Sequence, residues 1–377
     1  MSLRQYPVSS IQYPVSRGTG YWLLATGYWI PRIDEGDAHL NFWVELLIKV
    51  GLAVGLMLPV ALVVIFGELK ISAHMQSRIG PYFAGGRFGW AQPLADGLKF
   101  MQKEDLVPAD ADDKVYKLAP YVVLMGTLAL FVVLPVGPTA VARNLDLGVF
   151  YLLAVSSLST LGVLMAGWSS ANKYSLIGGL RAAAQLIAYE LPLVLAVIGV
   201  AIMAGSLSLN DIVAAQASWQ WFDTFPEWVN IIPPYMILQG VGLLIFLTAS
   251  LAELSRIPFD MPIAESELTM GYLTEYSGLR FTMFFLGEYA GLVAMAGIAS
   301  TLFLGGYWLP GLSDDVLNFV GPGVLLTKIL LLSFVFIWLR WTFPRLREDQ
   351  LQSIAWKWLI PAGLINIVVT GFFKVVW

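Results

Sequence analysis

The sequence predicts an all-α, polytopic membrane protein, a transmembrane helical bundle of about eight spans with long amphipathic loops on one side. Three observations carry that expectation. Hydrophobic residues make up 58% of the chain and charged residues only 13%, with a mean hydropathy of +0.72, which leaves too little polar surface to coat a water-soluble globule. The apolar residues gather into runs of about 20, the length that crosses a ~30 Å hydrocarbon core as a helix. Lys and Arg are concentrated in alternate loops, the asymmetry by which membrane proteins orient themselves.

Taken in order, the runs fall near 43–67, 118–138, 147–168, 182–204, 233–253, 281–304, 322–341 and 355–376 of the 377 residues. Residues 1–41 precede them as a separate N-terminal extension rich in Tyr, Trp, Pro and Gly, without the basic-then-apolar pattern of a cleavable signal peptide. Its Gly20-Tyr21-Trp22 and Gly27-Tyr28-Trp29 are read as headgroup-level anchors, with a disordered tail as the equal alternative. Residues 42–377 form the membrane domain. Its odd-numbered loops carry Lys70, Arg78, Arg87, Lys99, Lys103, Lys114, Lys117, Lys173, Arg181, Arg256, Arg280, Arg340, Arg345, Arg347 and Lys357, fifteen of the 22 basic residues. These loops are expected in the cytoplasm or its equivalent, with both termini on the opposite side of the membrane.

Composition also excludes chemistries. With no Cys and only His39 and His74, the chain offers no disulfide, zinc-thiolate site, iron–sulfur ligation or haem site. Redox chemistry would have to use another chain's cofactor. A net charge of -4 argues against nucleic acid. No Gly-rich phosphate loop or nucleophile elbow is present.

The chemistry-bearing residues lie in the odd-numbered loops and the spans beside them. In loop 1–2 (68–117), Leu94, Leu98 and Met101 recur on one stripe of a helix and Asp96, Lys99 and Lys103 on the opposite one. This is an amphipathic helix, lying on the membrane surface or lining a cavity with the preceding Gln76–Pro81 turn. Glu190, Glu253, Glu288 and Lys328 fall within apolar spans, where an ionisable group costs roughly 2.5–3.5 kcal/mol and persists where it faces water or a partner. Glu45 is placed to pair with Lys49, four residues on. In loop 5–6 (254–280), Asp260, Glu265, Glu267 and Glu275 fall within 16 positions, flanked by Arg256 and Arg280 and interleaved with apolar residues. That mixture predicts a loop folded into the protein, with crowded carboxylates able to hold and pass protons, or a structural network neutralised by the two arginines. Loop 7–8 (341–355) carries Arg345, Arg347, Glu348 and Asp349 near Arg340 and Lys357.

These motifs resemble the H subunit of bacterial NADH:quinone oxidoreductase (respiratory complex I), the counterpart of mitochondrial NADH dehydrogenase subunit 1. The resemblance runs from about Glu68 to the C-terminus and rests on MQSRIGP and QPLADGLKFMQKE, GGLRAAAQLIAYE, RIPFDMPIAESEL and GYLTEYSG, and FPRLREDQLQSIAWKWLIP. It implies a quinone, ubiquinone or menaquinone, as substrate, with flavin and iron–sulfur clusters held by partner subunits. The implied partners are the peripheral-arm quinone-site subunits and the small and antiporter-like membrane subunits, and the implied location is the bacterial inner membrane with both termini on the periplasmic side. By motif, Glu68, Arg78, Asp96, Lys99 and Arg345 would line the quinone chamber. Glu190, Glu253, Asp260, Glu265, Glu267, Glu275 and Glu288 would form a carboxylate path coupling quinone reduction to proton pumping. Three positions depart from the family pattern: Leu69 replaces the arginine of Glu-Arg-Lys, Tyr82 an asparagine, and Ile263 the first glutamate of Pro-Phe-Asp-Leu-Pro-Glu-Ala-Glu. The residues alone leave open a stand-alone ion-coupled transporter, which should be active by itself and show internal repeats that the two halves lack. They also leave open the anchor of a related hydrogenase or ferredoxin-linked complex.

Overall fold

A computed structural model describes residues 21–23, 29–31, 38–138, 140–218, 233–312 and 314–376. Residues 1–48 and 49–377 form two compact units. In the first, β1 (Tyr21–Leu23) pairs antiparallel with β2 (Trp29–Pro31), Trp22 opposite Ile30. Gly20, Gly27, Tyr28 and most of the extension lie outside the described residues, as do the side chains of Glu45 and Lys49.

Beyond that short ribbon the described residues fold as helices and loops. α1 spans Ala38–Met75, α2 Gln92–Met101, α3 Asp113–Leu130, α4 Gly148–Ser169, α5 Lys173–Ala204, α6 Leu209–Ala217, α7 Pro234–Leu238 and α8 Gly240–Glu253. Then follow α9 Glu265–Leu268, α10 Gly278–Phe303, α11 Asp314–Thr342, α12 Glu348–Ile354 and α13 Ile360–Val376. Six stretches, in α1, α4, α5, α10, α11 and α12 through α13, are long and apolar enough to cross a membrane. They coincide with six of the eight expected spans. The other two are shorter than the apolar runs suggested. α3 stops at Leu130, and Pro135 and Pro138 follow in the turn where a helix to 138 was expected. The fifth span is broken at Gln239 into α7 and α8. At the break the Gln239 side-chain amide donates to Thr370 Oγ1 (2.7 Å) and accepts from Asn366 Nδ2 (2.8 Å), both on α13.

α5 is the hub, packing against α4, α8 and α13, while α10 packs against α3 and α11. Its start is fixed by the Asn172 side chain, which accepts from the Tyr174 N–H (2.9 Å), and its end by Gly205 in the left-handed conformation. The second half of α10, from Tyr289 to Phe303, is buried on all sides and forms the middle of the core. Lys328 of α11 points its ammonium at the end of α10 and donates to the carbonyls of Leu304 (2.7 Å), Gly306 (2.7 Å) and Trp308 (2.9 Å).

The odd-numbered loops converge at one end of the bundle. Loop 7–8 joins loop 5–6 through the Leu346 N–H and Pro258 carbonyl (3.0 Å), and α12 joins α5 through the Tyr189 hydroxyl and Leu351 carbonyl (2.9 Å). Loop 1–2 meets loop 5–6 through the Ser277 hydroxyl and Glu104 carbonyl (3.1 Å). Loop 5–6 itself is pressed onto α5 where Gly271, at φ +55°, meets Gly178: a Cβ on Gly178 would lie 2.7 Å from the Gly271 Cα.

Candidate functional site

Two helix ends are built alike. At the end of α8 the Ser255 N–H donates to the Ala252 carbonyl (3.0 Å) and the Arg256 N–H to the Leu251 carbonyl (3.1 Å), with Ser255 left-handed at φ 50°. At the end of α1 the Ser77 N–H donates to the His74 carbonyl (3.1 Å) and the Arg78 N–H to the Ala73 carbonyl (2.9 Å), with Ser77 at φ 55°. Both are Schellman caps with Ser where Gly is usual, and each is followed at once by an arginine. The two arginines go opposite ways, one inward and one outward.

Arg256 turns inward and is fully buried. Its Nη1 donates to Glu68 Oε2 of α1 at 2.7 Å, Nη2 lies 3.1 Å from Glu288 Oε1 of α10, and its guanidinium carbon sits 4.5 Å from the Tyr289 ring centre. Arg340 of α11 donates to the second oxygen of Glu68. Burial works against the Arg256 charge, but Glu288 and then Glu68 outweigh it and raise its pKa. Three spans and the 5–6 loop thus share one buried ion cluster.

Beside it lies a cavity of about 80 Å³. Glu253, Ser255, Tyr272 and Glu288 supply polar lining, and Ile263, Leu254 and Met295 apolar walls. Glu288 is 28% exposed despite its depth because it faces this space. Glu190 lies close enough to Glu253, and Asp260 to Glu288, for their charges to interact. Burial pushes the Tyr272 hydroxyl above its usual pKa, with Glu288 and Asp260 adding to the effect, so it is a neutral donor.

Arg78 turns outward, exposed, with Nε donating to Gln76 Oε1 (2.7 Å). It lines an open groove of about 860 Å³ with Ile79 to Ala84 and Gln92. Asp96 is half-buried and accepts from Gln92 Nε2 (2.9 Å), whereas Lys99 is exposed. The apolar stripe of α2 stands outward, with Leu94, Leu98 and Met101 all exposed.

The remaining acids of loop 5–6 are not gathered at the cavity. Glu267 is exposed and bound by Arg181 (2.9 Å) and Arg345 (3.4 Å). The hydrogen bond from Arg181, then the Arg345 charge, hold its carboxyl below the ordinary range. Arg181 also reaches Glu348 at 3.6 Å. Glu275 Oε1 accepts from Asn172 Nδ2 (2.5 Å), and its carbonyl accepts from the Tyr116 hydroxyl (2.7 Å). Tyr116 stacks on Tyr276 at 4.2 Å, and Arg280 pairs with Asp105 at 3.0 Å. The Glu265 side chain lies outside the described residues. Among the described residues no group of His, Asp and Glu is arranged to hold a metal ion.

The sequence model of the family described as NADH dehydrogenase matches residues 48–371, a stretch that takes in the ion cluster, the cavity and the groove. The chain belongs to the NADH dehydrogenase family. Among relatives named as the H subunit of NADH-quinone oxidoreductase, that of Dehalococcoides mccartyi is 42% identical over 332 residues, 88% of this chain and 88% of its own length. The Anoxybacillus flavithermus protein is 44% identical over 339 residues, 88% of this chain and 96% of the relative. That of Bacillus cytotoxicus is 44% identical over 350 residues, 92% and 98% respectively. The family resemblance carried by the loop motifs is therefore borne out, together with the all-helical membrane architecture.

For this member of the NADH dehydrogenase family, sequence reasoning passed over two residues that organise the site. Arg256 was one flank of an acidic loop and Arg340 one of several loop cations. The available signal was the repeated Ser-Arg-Ile, 77–79 and 255–257, at the ends of two spans. Ile263 was marked as a departure, and its place on the cavity wall gives that departure a position.

Proposed function

We propose that this chain is the membrane-arm subunit of a proton-translocating NADH:quinone oxidoreductase, in which the loop 1–2 groove forms part of the quinone chamber and the buried carboxylates couple quinone reduction to proton movement. The observation that carries this reading is the single guanidinium of Arg256 held between Glu68 and Glu288, because it joins the loop side of the molecule to the cavity by direct charge contact. The names of the relatives support the enzyme class.

Reducing a quinone to a quinol takes two electrons and two protons. The electrons come from partner subunits, since this chain has no cysteine for a cluster. Arg78 and Asp96, with Lys99 and Arg345 as further candidates, would present charge and hydrogen-bond donors to a headgroup. Charge developing there shifts the balance of Arg256 between its two acids, which alters the proton affinity of Glu288 and, across the cavity, of Glu253 and Glu190. The cavity has room for a few water molecules to carry a proton between the carboxylates. Asp260 acts on Glu288, while Glu265, Glu267 and Glu275 would extend the path along loop 5–6. The route passes Ile263 without a carboxylate there. The odd-numbered loops face the cytoplasm, where the peripheral-arm subunits dock, and the membrane is the bacterial inner membrane.

The test replaces Glu253 and Glu190 separately with Gln in the assembled complex. Turnover with quinone and proton pumping into vesicles should fall at least about tenfold, while NADH oxidation by an artificial acceptor that bypasses the membrane subunit stays at the wild-type rate. Wild-type turnover and proton stoichiometry in both variants would overturn the coupling role. Purification without iron–sulfur partners, with transport activity of the lone chain, would overturn the assignment as a whole.

A further inference from the structure

The segment after α1 has no regular structure, yet it carries Arg78 and one wall of the groove. It lies close against α1: a Cβ on Gly80 would sit 3.1 Å from the Leu69 carbonyl oxygen and 3.2 Å from the Ala73 Cβ. The side chain that ties it down is Lys70, near the end of the helix. Its ammonium donates to the Pro81 carbonyl and stands 5.8 Å from the Phe66 ring centre and 6.0 Å from that of Tyr82. Tyr82, so placed, meets Phe83 edge to face, with centres 5.6 Å apart and planes at 85°, and both rings line the groove.

We propose that Lys70 is a positioning residue of the groove, fixing the Ser77–Phe83 segment, and with it Arg78 and the two aromatic rings, in the shape that receives a planar quinone headgroup. The inference rests on the quinone reading above. It follows from the bond inventory: Pro81 has no N–H with which to tie itself to α1, and among the described residues the charged donor on its carbonyl is Lys70. The two rings flanking the ammonium hold it by their faces and keep the stem from swinging away. With that tie released, Gly80 would still touch α1 and Gly89 would still lie against Pro81 and Tyr82, but no charged donor would hold Pro81 to the helix and the two rings would lose their fixed placement.

The experiment is carried out on the assembled complex. Lys70→Met keeps the length of the stem and removes the donor, and Lys70→Arg retains it. Lys70→Met should raise the KM for a short-chain quinone about tenfold with kcat within about twofold, the signature of lost binding rather than lost chemistry, and Lys70→Arg should return KM to within about threefold of wild type. Bypass activity with an artificial acceptor should not change. Unaltered KM in Lys70→Met, with a raised KM in Arg78→Met, overturns the positioning role and leaves the quinone reading intact. If neither variant changes KM and a photoreactive quinone fails to label Tyr82 or Phe83, the quinone reading of the groove fails and this inference with it. If Lys70→Met does not assemble, Lys70→Gln, which keeps a neutral donor, carries the same readout; a fall in bypass activity in step with quinone activity would make Lys70 a general support and overturn the proposal.

Discussion

Arg256 and Glu68 are separated by 188 residues of sequence and by 2.7 Å in space, and both are buried. A buried ion pair contributes little when intact, because desolvation offsets the attraction, but removing one partner strands the other charge in a poorly solvated site.

Arg256→Met should therefore be strongly destabilising, by about 3–5 kcal/mol, because Glu68 and Glu288 both lose their shared counter-ion. Adding Glu68→Gln to it should recover part of the loss. Thermal denaturation of the purified complex, following the membrane subunit by limited proteolysis, measures both. A double variant no more stable than Arg256→Met alone would show that Arg256 acts through Glu288 and not through the pair.

Lys328→Met should loosen the end of α10. Three carbonyls lose their charged donor at once, and an unsatisfied buried acceptor costs about 1–3 kcal/mol. The expected readout is a lower denaturation midpoint with unchanged KM for quinone, since Lys328 lies at the end of α10 remote from Arg256 and the groove. A shift in KM would sink that separation.

Glu267 gives a pH prediction. Its carboxyl is held below the ordinary value of 4.5 in the folded chain by Arg181 and Arg345. The stabilisation is present in full above about 4.5, the value expected unfolded, and is lost as pH falls through the lower folded value. Because the side chain is 53% exposed, solvent screens most of the effect. Wild type and Glu267→Gln should thus melt with a constant small difference above the ordinary carboxylate range that closes as pH falls below about 4.5 toward the lower folded value, and that shrinks in high salt. A difference that widens on acidification would contradict the assignment.

Much of the fold was legible because a membrane enforces its own rule: apolar runs of span length have few other fates, and six of the eight coincide with long apolar helices. What was not legible depended on tertiary partners. At the break the Gln239 side chain is bound by Asn366 and Thr370 from a helix more than 100 residues away, and no local pattern announces it. The left-handed Ser77 and Ser255 lack the glycine that would have signalled their caps. In the site, Glu253 and Glu288 stood out because carboxylates in apolar runs are conspicuous, whereas Arg256 did not, since an arginine in a loop expected on the cytoplasmic side is ordinary until its burial is known. The closeness of the loop 5–6 acids in sequence hid their division between the neighbourhood of Glu288, for Asp260, and the surface, for Glu267.

The backbone contact between Gly178 and Gly271 has a mechanical outcome. With no side chain on either face to yield, a push on loop 5–6 cannot be absorbed where the two stretches of chain touch. Movement of the loop must carry α5 along as a stiff lever, and twelve residues further up that same rod sits Glu190.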